Sequence, residues 1–249
     1  MTVTAERHGR VLVIRIERET KRNAIDAAIT AGLDAALNRL DDDAGLWAGV
    51  LTGTTTVFSA GTDLRDGSGD PTPRGGEYGL VRRRRTTPLI AAVEGVAFGG
   101  GFELAMACDL VVASQTARFA LPETRRGVVA TSGALFRAVR SLPLNVAKEL
   151  LLAGSELDAE TALRFGLVNR LTGPGGALAA AIELAENVCR SSPAAVRATM
   201  AAIDAQTIDL DAAGWRATEE ALRAISDSDD LREGIAAFLQ RREPRWTGR

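Results

Sequence analysis

The stretch that decides the fold is Ala97-Phe98-Gly99-Gly100-Gly101-Phe102-Glu103-Leu104-Ala105-Met106-Ala107-Cys108-Asp109. Three consecutive glycines end an apolar run, and residues that favour helix follow them. Because glycine has no Cβ, the chain can turn there and another molecule can approach the backbone closely. A helix that begins on such a turn has unpaired N–H groups, which can stabilise negative charge. The pattern predicts an anion-stabilising turn with Glu103 beside it, although alone it also fits an ordinary strand-to-helix turn.

A second stretch, Phe58-Ser59-Ala60-Gly61-Thr62-Asp63-Leu64, also follows an apolar run, at 48–52. Two turns of small residues, separated by one structural repeat, could stack and offer one N–H each to the same oxygen. An oxyanion hole requires preorganised donors of this kind, aimed where negative charge develops. The two stretches together therefore indicate a site that polarises a carbonyl group.

The two stretches, with KRNAI at 21–25 and FALPETRRGVV at 119–129, resemble the crotonase (enoyl-CoA hydratase/isomerase) superfamily. The resemblance extends from Val11 to the Arg-rich end. The C-terminal segments 233–238 and 242–249 are most similar to the crotonobetainyl-CoA (carnitinyl-CoA) hydratase-like branch. The family resemblance implies that the substrate is an acyl-CoA thioester.

The same resemblance implies an α/β fold in two regions. Residues 1–190 would form a ββα spiral core that binds the CoA ester and carries the catalytic site. Residues 191–249 would form a C-terminal helical trimerisation region, commonly assembled as a homotrimer or a dimer of trimers. The strand–helix repeats alone would also permit a doubly wound sheet, but no G-x-G-x-x-G opens a helix, which disfavours a dinucleotide fold.

Composition limits the partners. The chain has 249 residues, of which 46% are hydrophobic, so a large globular core is expected. A net charge of −2 gives no reason to expect nucleic acid or a membrane as a partner. No apolar run approaches the roughly 20 residues of a membrane span, and the N-terminus lacks the apolar region of a secretory signal. We therefore expect a cytoplasmic protein.

Composition also limits the chemistry. His8 is the only histidine, so a Ser–His–Asp triad lacks a base. Cys108 and Cys189 lie in apolar helical patterns typical of buried small residues, and no grouped histidines or cysteines suggest a metal site. Acid–base catalysis is therefore assigned to carboxylates.

The local patterns predict the order of elements. Residues 66–79 are predicted to be a mobile surface loop, which is often a binding lid. The arginines at 82–85 are interpreted as solvated helix surface, since four consecutive helical residues point in different directions. The predicted strands are 11–16, the first in the chain, then 46–52, 88–96, 109–114 and 167–171. The predicted helices are 26–40 with Asp26 as its N-cap, 102–108, 177–190, 193–203, 211–225 and 230–241, with further helices starting at Pro143 and Asp158.

Hydration of an α,β-unsaturated thioester requires a polarised carbonyl, an activated water and a proton donor to C2, and two carboxylates can handle the water and the proton. The resemblance places the catalytic pair at Glu103 and Glu123. Their apolar surroundings predict raised pKa values. We expect Glu123 to donate the proton and Glu103 to orient and activate the water.

The resemblance also implies that the N–H groups of Thr62 and Gly100 hold the thioester oxygen. CoA belongs to the substrate, so no separate cofactor and no metal are expected. The resemblance assigns further CoA contacts to Arg22, Ala24, Ala60, Gly61, Asp63, Leu64 and Gly99.

The sequence departs from the family pattern in places that leave alternatives open. Thr131 and Ser132 add hydroxyls near the expected water site, and Thr62 brings a β-branched side chain to the oxyanion turn. One alternative is Δ3–Δ2 enoyl-CoA isomerisation, which requires a single glutamate. Another is a catalytically silent acyl-CoA-binding protein, which could lose either acid. Because both carboxylates are present, hydration is favoured.

Overall fold

Within residues 2–249, which the computed structural model describes, the chain folds into ten strands and eight helices. The strands are β1 Val3–His8, β2 Val11–Ile16, β3 Ala48–Thr52, β4 Val57–Ser59, β5 Leu89–Val93, β6 Val96–Phe98, β7 Leu110–Ser114, β8 Arg118–Ala120, β9 Glu156–Asp158 and β10 Arg170–Thr172. The helices are α1 Ala27–Asp42, α2 Gly100–Met106, α3 Ala134–Ser141, α4 Leu144–Ala153, α5 Ala159–Arg164, α6 Ala177–Cys189, α7 Pro193–Ile225 and α8 Asp229–Gln240. Short 3-10 turns lie at Glu19–Lys21, Glu77–Gly79 and Thr124–Arg126.

From β3 to β8 the strands alternate between two sheets along the chain. One sheet has the order β1-β2-β3-β5-β7-β10, parallel except for β1, and the other has the order β4-β6-β8-β9. Three successive repeats (β3–β4, β5–β6 and β7–β8) each give one strand to each sheet. The predicted ββα spiral core is therefore confirmed, and the doubly wound alternative is wrong.

Local signals explain where several elements begin and end. The carboxylate of Asp26 accepts a hydrogen bond from the N–H of Ile29 at 2.9 Å and so caps α1 as predicted. Helix α5 begins after Asp158 and is followed by Gly166 at φ +79°, again as predicted. The outer face of the larger sheet is covered by α6 through the buried residues Ala177, Ala181 and Ala185.

Three predictions about element boundaries are wrong. The predicted strand 88–96 is two strands, β5 and β6, which belong to different sheets. The first strand is β1, which pairs with β2 as an antiparallel hairpin at the edge of the sheet. Its last residues are exposed, so it lacks the apolar run that marked β2. Residues 193–225 form one continuous helix of 33 residues, α7, instead of two. The residues 204–210, between the two predicted helices, contain no glycine or proline that would end a helix.

The arginines at 82–85 do not form a solvated helix surface. They follow an irregular path, and only Arg82 and Arg84 are exposed. The side chain of Arg83 is 1% exposed and forms ion pairs with Asp34 and Asp41 at 2.6 and 2.9 Å. Burial of an arginine requires such partners, which lie too far away in sequence for the local pattern to reveal them.

The segment 66–79 is only partly the predicted surface loop. A bridge joins Thr72 to Gly76, and the 3-10 turn that follows is mostly buried against α1. The end of this segment belongs to the core and delivers Tyr78 to the cavity described below.

The C-terminal helices α7 and α8 lie against the spiral core. Helix α8 packs on the turn Thr124–Arg126, and α7 packs on α3. No helix among residues 2–249 has the length and the apolar character needed to cross a membrane.

Candidate active site

The two glycine-containing turns meet at the ends of neighbouring strands. Strands β4 and β6 are parallel partners, so their carboxyl ends lie side by side. Gly61, at φ +93°, lies so close to the second turn that a Cβ there would be 2.8 Å from the carbonyl oxygen of Phe98 and 3.1 Å from the nitrogen of Gly100. The structure therefore brings Gly61–Thr62 and Gly99–Gly100 into backbone contact.

Both predicted donor amides are free to bind a ligand. Thr62 forms a bridge with Ile25 in which Ile25 N–H donates to the carbonyl of Gly61 and Asp63 N–H donates to the carbonyl of Ile25, each at 2.8 Å. In this pattern the N–H of Thr62 points away from Ile25. Gly100 is the first residue of α2, so its N–H has no acceptor within the helix. Neither amide donates a hydrogen bond within the described chain.

Asn23 holds the first of these turns in place, and the sequence did not reveal it. It is fully buried, and its Nδ2 donates to the carbonyl oxygens of Val57 and Phe58 at 2.9 and 3.1 Å. Its own carbonyl accepts from the hydroxyl of Ser59 at 2.8 Å. In the sequence, the only indication that Asn23 has a special role was its place in the run KRNAI at 21–25. An asparagine is suited to the left-handed backbone found here, at φ 53°.

Glu103 lies on the first turn of α2 and is 2% exposed. Its Oε1 accepts hydrogen bonds from the N–H groups of Ser132 and Ala134 at 2.7 and 3.0 Å. Burial, and then the nearby Glu123 carboxylate, raise the pKa of Glu103 to about 8, while the two N–H donors oppose that rise. One oxygen is thus fixed by backbone donors at the start of α3.

Glu123 precedes the 3-10 turn that follows β8. Its Oε1 lies 2.9 Å from where a Cβ on Gly99 would be, and its buried Oε2 has no hydrogen-bond partner among residues 2–249. Burial raises the pKa of Glu123 to about 7, and the charge of Arg126 limits the rise. A buried, unpartnered carboxyl oxygen is rare in proteins and is typical of a group that exchanges a proton with a ligand.

Both acids face one cavity of about 230 Å³. We call the first part of its wall the carbonyl end; it consists of the backbone at Gly61, Thr62, Gly99 and Gly100. The second part, which we call the C-terminal wall, consists of Leu222 and Ile225 from α7 and Leu231 from α8. The predicted oligomerisation region therefore also contributes to the cavity of its own chain.

Tyr78 is a cavity residue that the sequence analysis missed. Its hydroxyl lies 2.8 Å from Oγ1 of Thr62 and 2.6 Å from where a Cβ on Gly100 would be. The residue has φ 57°, which is uncommon for a tyrosine and marks backbone strain. Burial raises the pKa of its hydroxyl, so it stays protonated beside the carbonyl end. In the sequence, the only indication of this role was that the single tyrosine of the chain lies in a glycine-rich loop.

The residues to which CoA contacts were assigned divide into two groups. Ala60, Gly61, Leu64 and Gly99 line the cavity, and so does Thr131. The remaining three, Arg22, Ala24 and Asp63, do not line it. Arg22 is exposed. Ala24 and Asp63 are engaged by Arg18, which donates to the carbonyl of Ala24 at 2.9 Å and to the carboxylate of Asp63 at 2.7 Å.

Comparison with known proteins gives a consistent result. A family model for enoyl-CoA hydratase/isomerase matches residues 6–249. The chain is 37% identical to mevalonyl-coenzyme A hydratase of Aspergillus fumigatus, over 95% of this chain and 91% of that protein. It is 38% identical to carnitinyl-CoA dehydratase of Citrobacter koseri, over 98% and 97%. The crystal structure of carnitinyl-CoA hydratase from Mycobacterium avium is similar over 100% of this chain and 99% of that chain, with 36% identity and a TM-score of 0.93.

Proposed function

The chain belongs to the enoyl-CoA hydratase/isomerase family, and from this premise we propose that Glu103 and Glu123 add water reversibly across the double bond of an α,β-unsaturated acyl-CoA. The chain is a hydro-lyase of the enoyl-CoA hydratase type. The observation that supports the roles of individual residues is the convergence on one cavity of two buried carboxyl groups and two free backbone amides.

The carbonyl end would bind the thioester oxygen. When a nucleophile adds at C3, negative charge develops on this oxygen, and the N–H groups of Thr62 and Gly100 would stabilise it. Because both amides are fixed by the sheet and by Asn23, little reorganisation is required during the reaction. One donor of this kind typically lowers the barrier by about 3 kcal/mol.

The two carboxyl groups would divide the acid and base roles. With pKa values of about 8 and 7, the pair holds about one proton between pH 7 and 8. The two pKa values alone would leave the shared proton on Glu103. We place it on Glu123 from the hydrogen bonds, because Oε1 of Glu103 accepts two backbone N–H groups, whereas Oε2 of Glu123 has no partner among residues 2–249 and can carry the proton. In the hydration direction, Glu103 accepts a proton from water as the oxygen bonds to C3, and Glu123 delivers its proton to C2.

Glu103→Gln and Glu123→Gln test this division of roles. General acid–base groups contribute about 10²- to 10⁴-fold, so each variant is expected to reduce the hydration rate of crotonyl-CoA by that factor. Loss of the enoyl absorbance measures the reaction, and calorimetry with butyryl-CoA checks that binding survives. Glu94→Gln is the matched control, since Glu94 is also buried and accepts a backbone N–H, from Ala177 at 3.0 Å, but lies outside the cavity.

Three outcomes would contradict the proposal. If Glu103→Gln retains full activity on a 3-enoyl-CoA, the reaction is the isomerisation that a single glutamate can perform. If wild type binds several esters tightly and hydrates none, the chain is a silent binding protein. Full crotonyl-CoA hydration by both glutamine variants would remove the two acids from the mechanism.

We also propose that residues 191–249 assemble the chain into a homotrimer or a dimer of trimers. Large apolar side chains on α7 and α8 support this proposal, since they are 39–57% exposed: Ile203, Ile208, Leu210, Ile235, Phe238 and Leu239. Light scattering after size-exclusion chromatography would give the mass, and a monomer at micromolar concentration would contradict the proposal. The cytoplasmic location expected from composition stays a prediction.

A further inference from the structure

Within residues 2–249, a single cation lines the cavity. Among the lining residues of the described chain, Arg126 is the only lysine or arginine, and Glu103 and Glu123 are the only carboxylates. Arg126 ends the 3-10 turn that Glu123 precedes, and it lies close enough to that acid to limit the rise of its pKa. The charge of Arg126 is therefore part of the environment in which a substrate binds.

The guanidinium of Arg126 has no acceptor of its own. Within residues 2–249 no carboxylate pairs with it and no hydrogen bond contributes to its environment, although it is more than half withdrawn from water. It rests on the ring of Phe238, with Cζ 4.7 Å from the ring centroid. A guanidinium has five N–H donors, and donors removed from water without acceptors are costly. The side chain is thus held in place with its donors available.

Carboxylates that could neutralise Arg126 from α8 are already engaged. Glu233 pairs with Arg242 at 2.8 Å, and Asp230 accepts the N–H of Gly248 at 3.0 Å. Helix α8 nevertheless lies directly on the turn, since a Cβ on Gly234 would come within 2.0 Å of the carbonyl oxygen of Arg126. Close packing fixes the position of Arg126 but leaves its charge without an internal partner.

We propose that Arg126 selects the acyl tail of the substrate: it favours an enoyl-CoA whose tail ends in an anion and disfavours one whose tail ends in a cation. This inference rests on the proposed function, because it names a substrate class for the same cavity. A carboxylate can accept two parallel hydrogen bonds from a guanidinium. A quaternary ammonium, such as the trimethylammonium end of a carnitinyl group, instead requires aromatic faces or a spare carboxylate. The cavity wall of the described chain has no carboxylate beyond the two catalytic acids, and its only aromatic residue is Tyr78.

The experiment compares tails that differ in charge but little in shape. Glutaconyl-CoA carries a terminal carboxylate, and its terminal amide is the neutral match. Crotonobetainyl-CoA carries the trimethylammonium group, and 5,5-dimethyl-2-hexenoyl-CoA is its neutral match. The measured quantity is the ratio of kcat/KM within each pair, for wild type, Arg126→Gln and Arg125→Gln. Arg125 is the matched control, because its Nε donates to the carbonyl of Ala153 at 2.6 Å and it does not line the cavity.

For wild type and Arg125→Gln we expect the carboxylate to be preferred over the amide by about ten- to a hundredfold, the usual effect of one charge-assisted contact. We expect the cation to be disfavoured against its neutral match. Arg126→Gln should bring both ratios close to one. Unchanged ratios in Arg126→Gln would overturn the proposal. So would an equal loss for all four esters, which would instead mean that Arg126 acts on something common to every ester, through a CoA phosphate or through the neighbouring Glu123.

Binding of unreactive esters separates this inference from the proposed function. Calorimetry with glutaryl-CoA and its terminal amide gives the same comparison without any hydration. Suppose that no enoyl ester reacts, but that glutaryl-CoA binds more tightly than its amide to wild type and not to Arg126→Gln. The proposed function then fails while the tail preference stands. If crotonyl-CoA is hydrated but the glutaryl preference is absent, the tail preference alone is wrong.

Discussion

The carbonyl end and the C-terminal wall of the cavity are built in different ways. The carbonyl end consists of backbone, and close contacts between Gly61 and the second turn leave no space for even a methyl group. The C-terminal wall consists of side chains on helices, and Leu222 is 44% exposed. The position of the groups that bind the reacting carbonyl thus depends on the geometry of the sheet. The shape of the C-terminal wall depends on helix side chains, which can be substituted without moving the sheet.

This difference suggests how one fold can keep a reaction while its substrates vary. A backbone amide cannot be removed by changing its own side chain, so the oxyanion turns change only if the strands move. Side chains such as Leu231 and Arg126 can be exchanged without moving those strands. We therefore expect substitutions at the carbonyl end to reduce activity on every substrate, and substitutions in the C-terminal wall to change which substrate is preferred.

Among substitutions in the walls of the cavity, the largest effect is expected for Gly61→Ala. The new Cβ would lie 2.8 Å from the backbone oxygen of Phe98, which cannot rotate away, and the backbone at φ +93° is strained for alanine. If the two turns separate, one oxyanion donor is lost, so kcat should fall about 10²- to 10³-fold on every enoyl-CoA. Steady-state rates on a short and a long ester measure this.

Gly67→Ala is the control for backbone strain alone. Gly67 has φ +68°, and a Cβ there would meet nothing within 4 Å. It should cost some stability while the rates stay within a few-fold of wild type. Equal losses in the two variants, or full activity in Gly61→Ala, would show that contact between the turns is not required for catalysis.

The pH dependence tests the acid pair that lines the same cavity. Raised pKa values of about 7 and 8 predict a bell-shaped profile of kcat/KM with its maximum between them. Below the lower value both acids are protonated and the base is lost; above the higher value both are ionised and the acid is lost. Each limb should change about tenfold per pH unit, and a flat profile from pH 6 to 9 would contradict the assignment.

The same raised pKa values affect stability with a defined sign. The native pair binds more protons than the unfolded chain, whose glutamates titrate at about pH 4.3, so the free energy of unfolding falls as pH rises from there toward pH 8. Glu103→Gln removes this dependence for one group. The variant should therefore gain in Tm relative to wild type at pH 8.5, and the gain should shrink at pH 5.

The sequence predicted the elements that depend on local signals. The Asp26 cap, the strand β2 and the start of α2 follow from capping, β-branched runs and glycines. The family resemblance also placed Glu103 and Glu123 in one site, and the structure brings both to one cavity. These features can be predicted locally because each depends on neighbours in the chain or on a recognisable combination of motifs.

Features that depend on distant partners could not be predicted in this way. Arg83 is buried because Asp34 and Asp41 lie opposite it on α1, and Asn23 matters because it bonds to β4. Tyr78 lies in a segment whose composition is typical of an exposed loop. Edge strand β1 has no apolar run, since only one side of it meets the core. In each case the structure of the residue or strand is determined by polar contacts or by packing with residues that are distant in the sequence.

The smallest effect is expected for Leu231→Ala in the C-terminal wall, and it concerns preference more than rate. Truncating a leucine that lines the cavity opens space for a larger acyl tail. In a fully enclosed apolar pocket, two substrates that differ by one methylene group typically differ in kcat/KM by at least about tenfold. Because Leu231 is only half-buried, we expect roughly a two- to fivefold shift in the ratio of kcat/KM toward longer 2-enoyl-CoAs. Leu163→Ala is the control, since Leu163 on α5 is 38% exposed, lies outside residues 191–249 and does not line the cavity. A uniform loss on all chain lengths would mean that the C-terminal wall supports the acids instead of the tail, and the contrast between the two parts of the cavity would no longer hold.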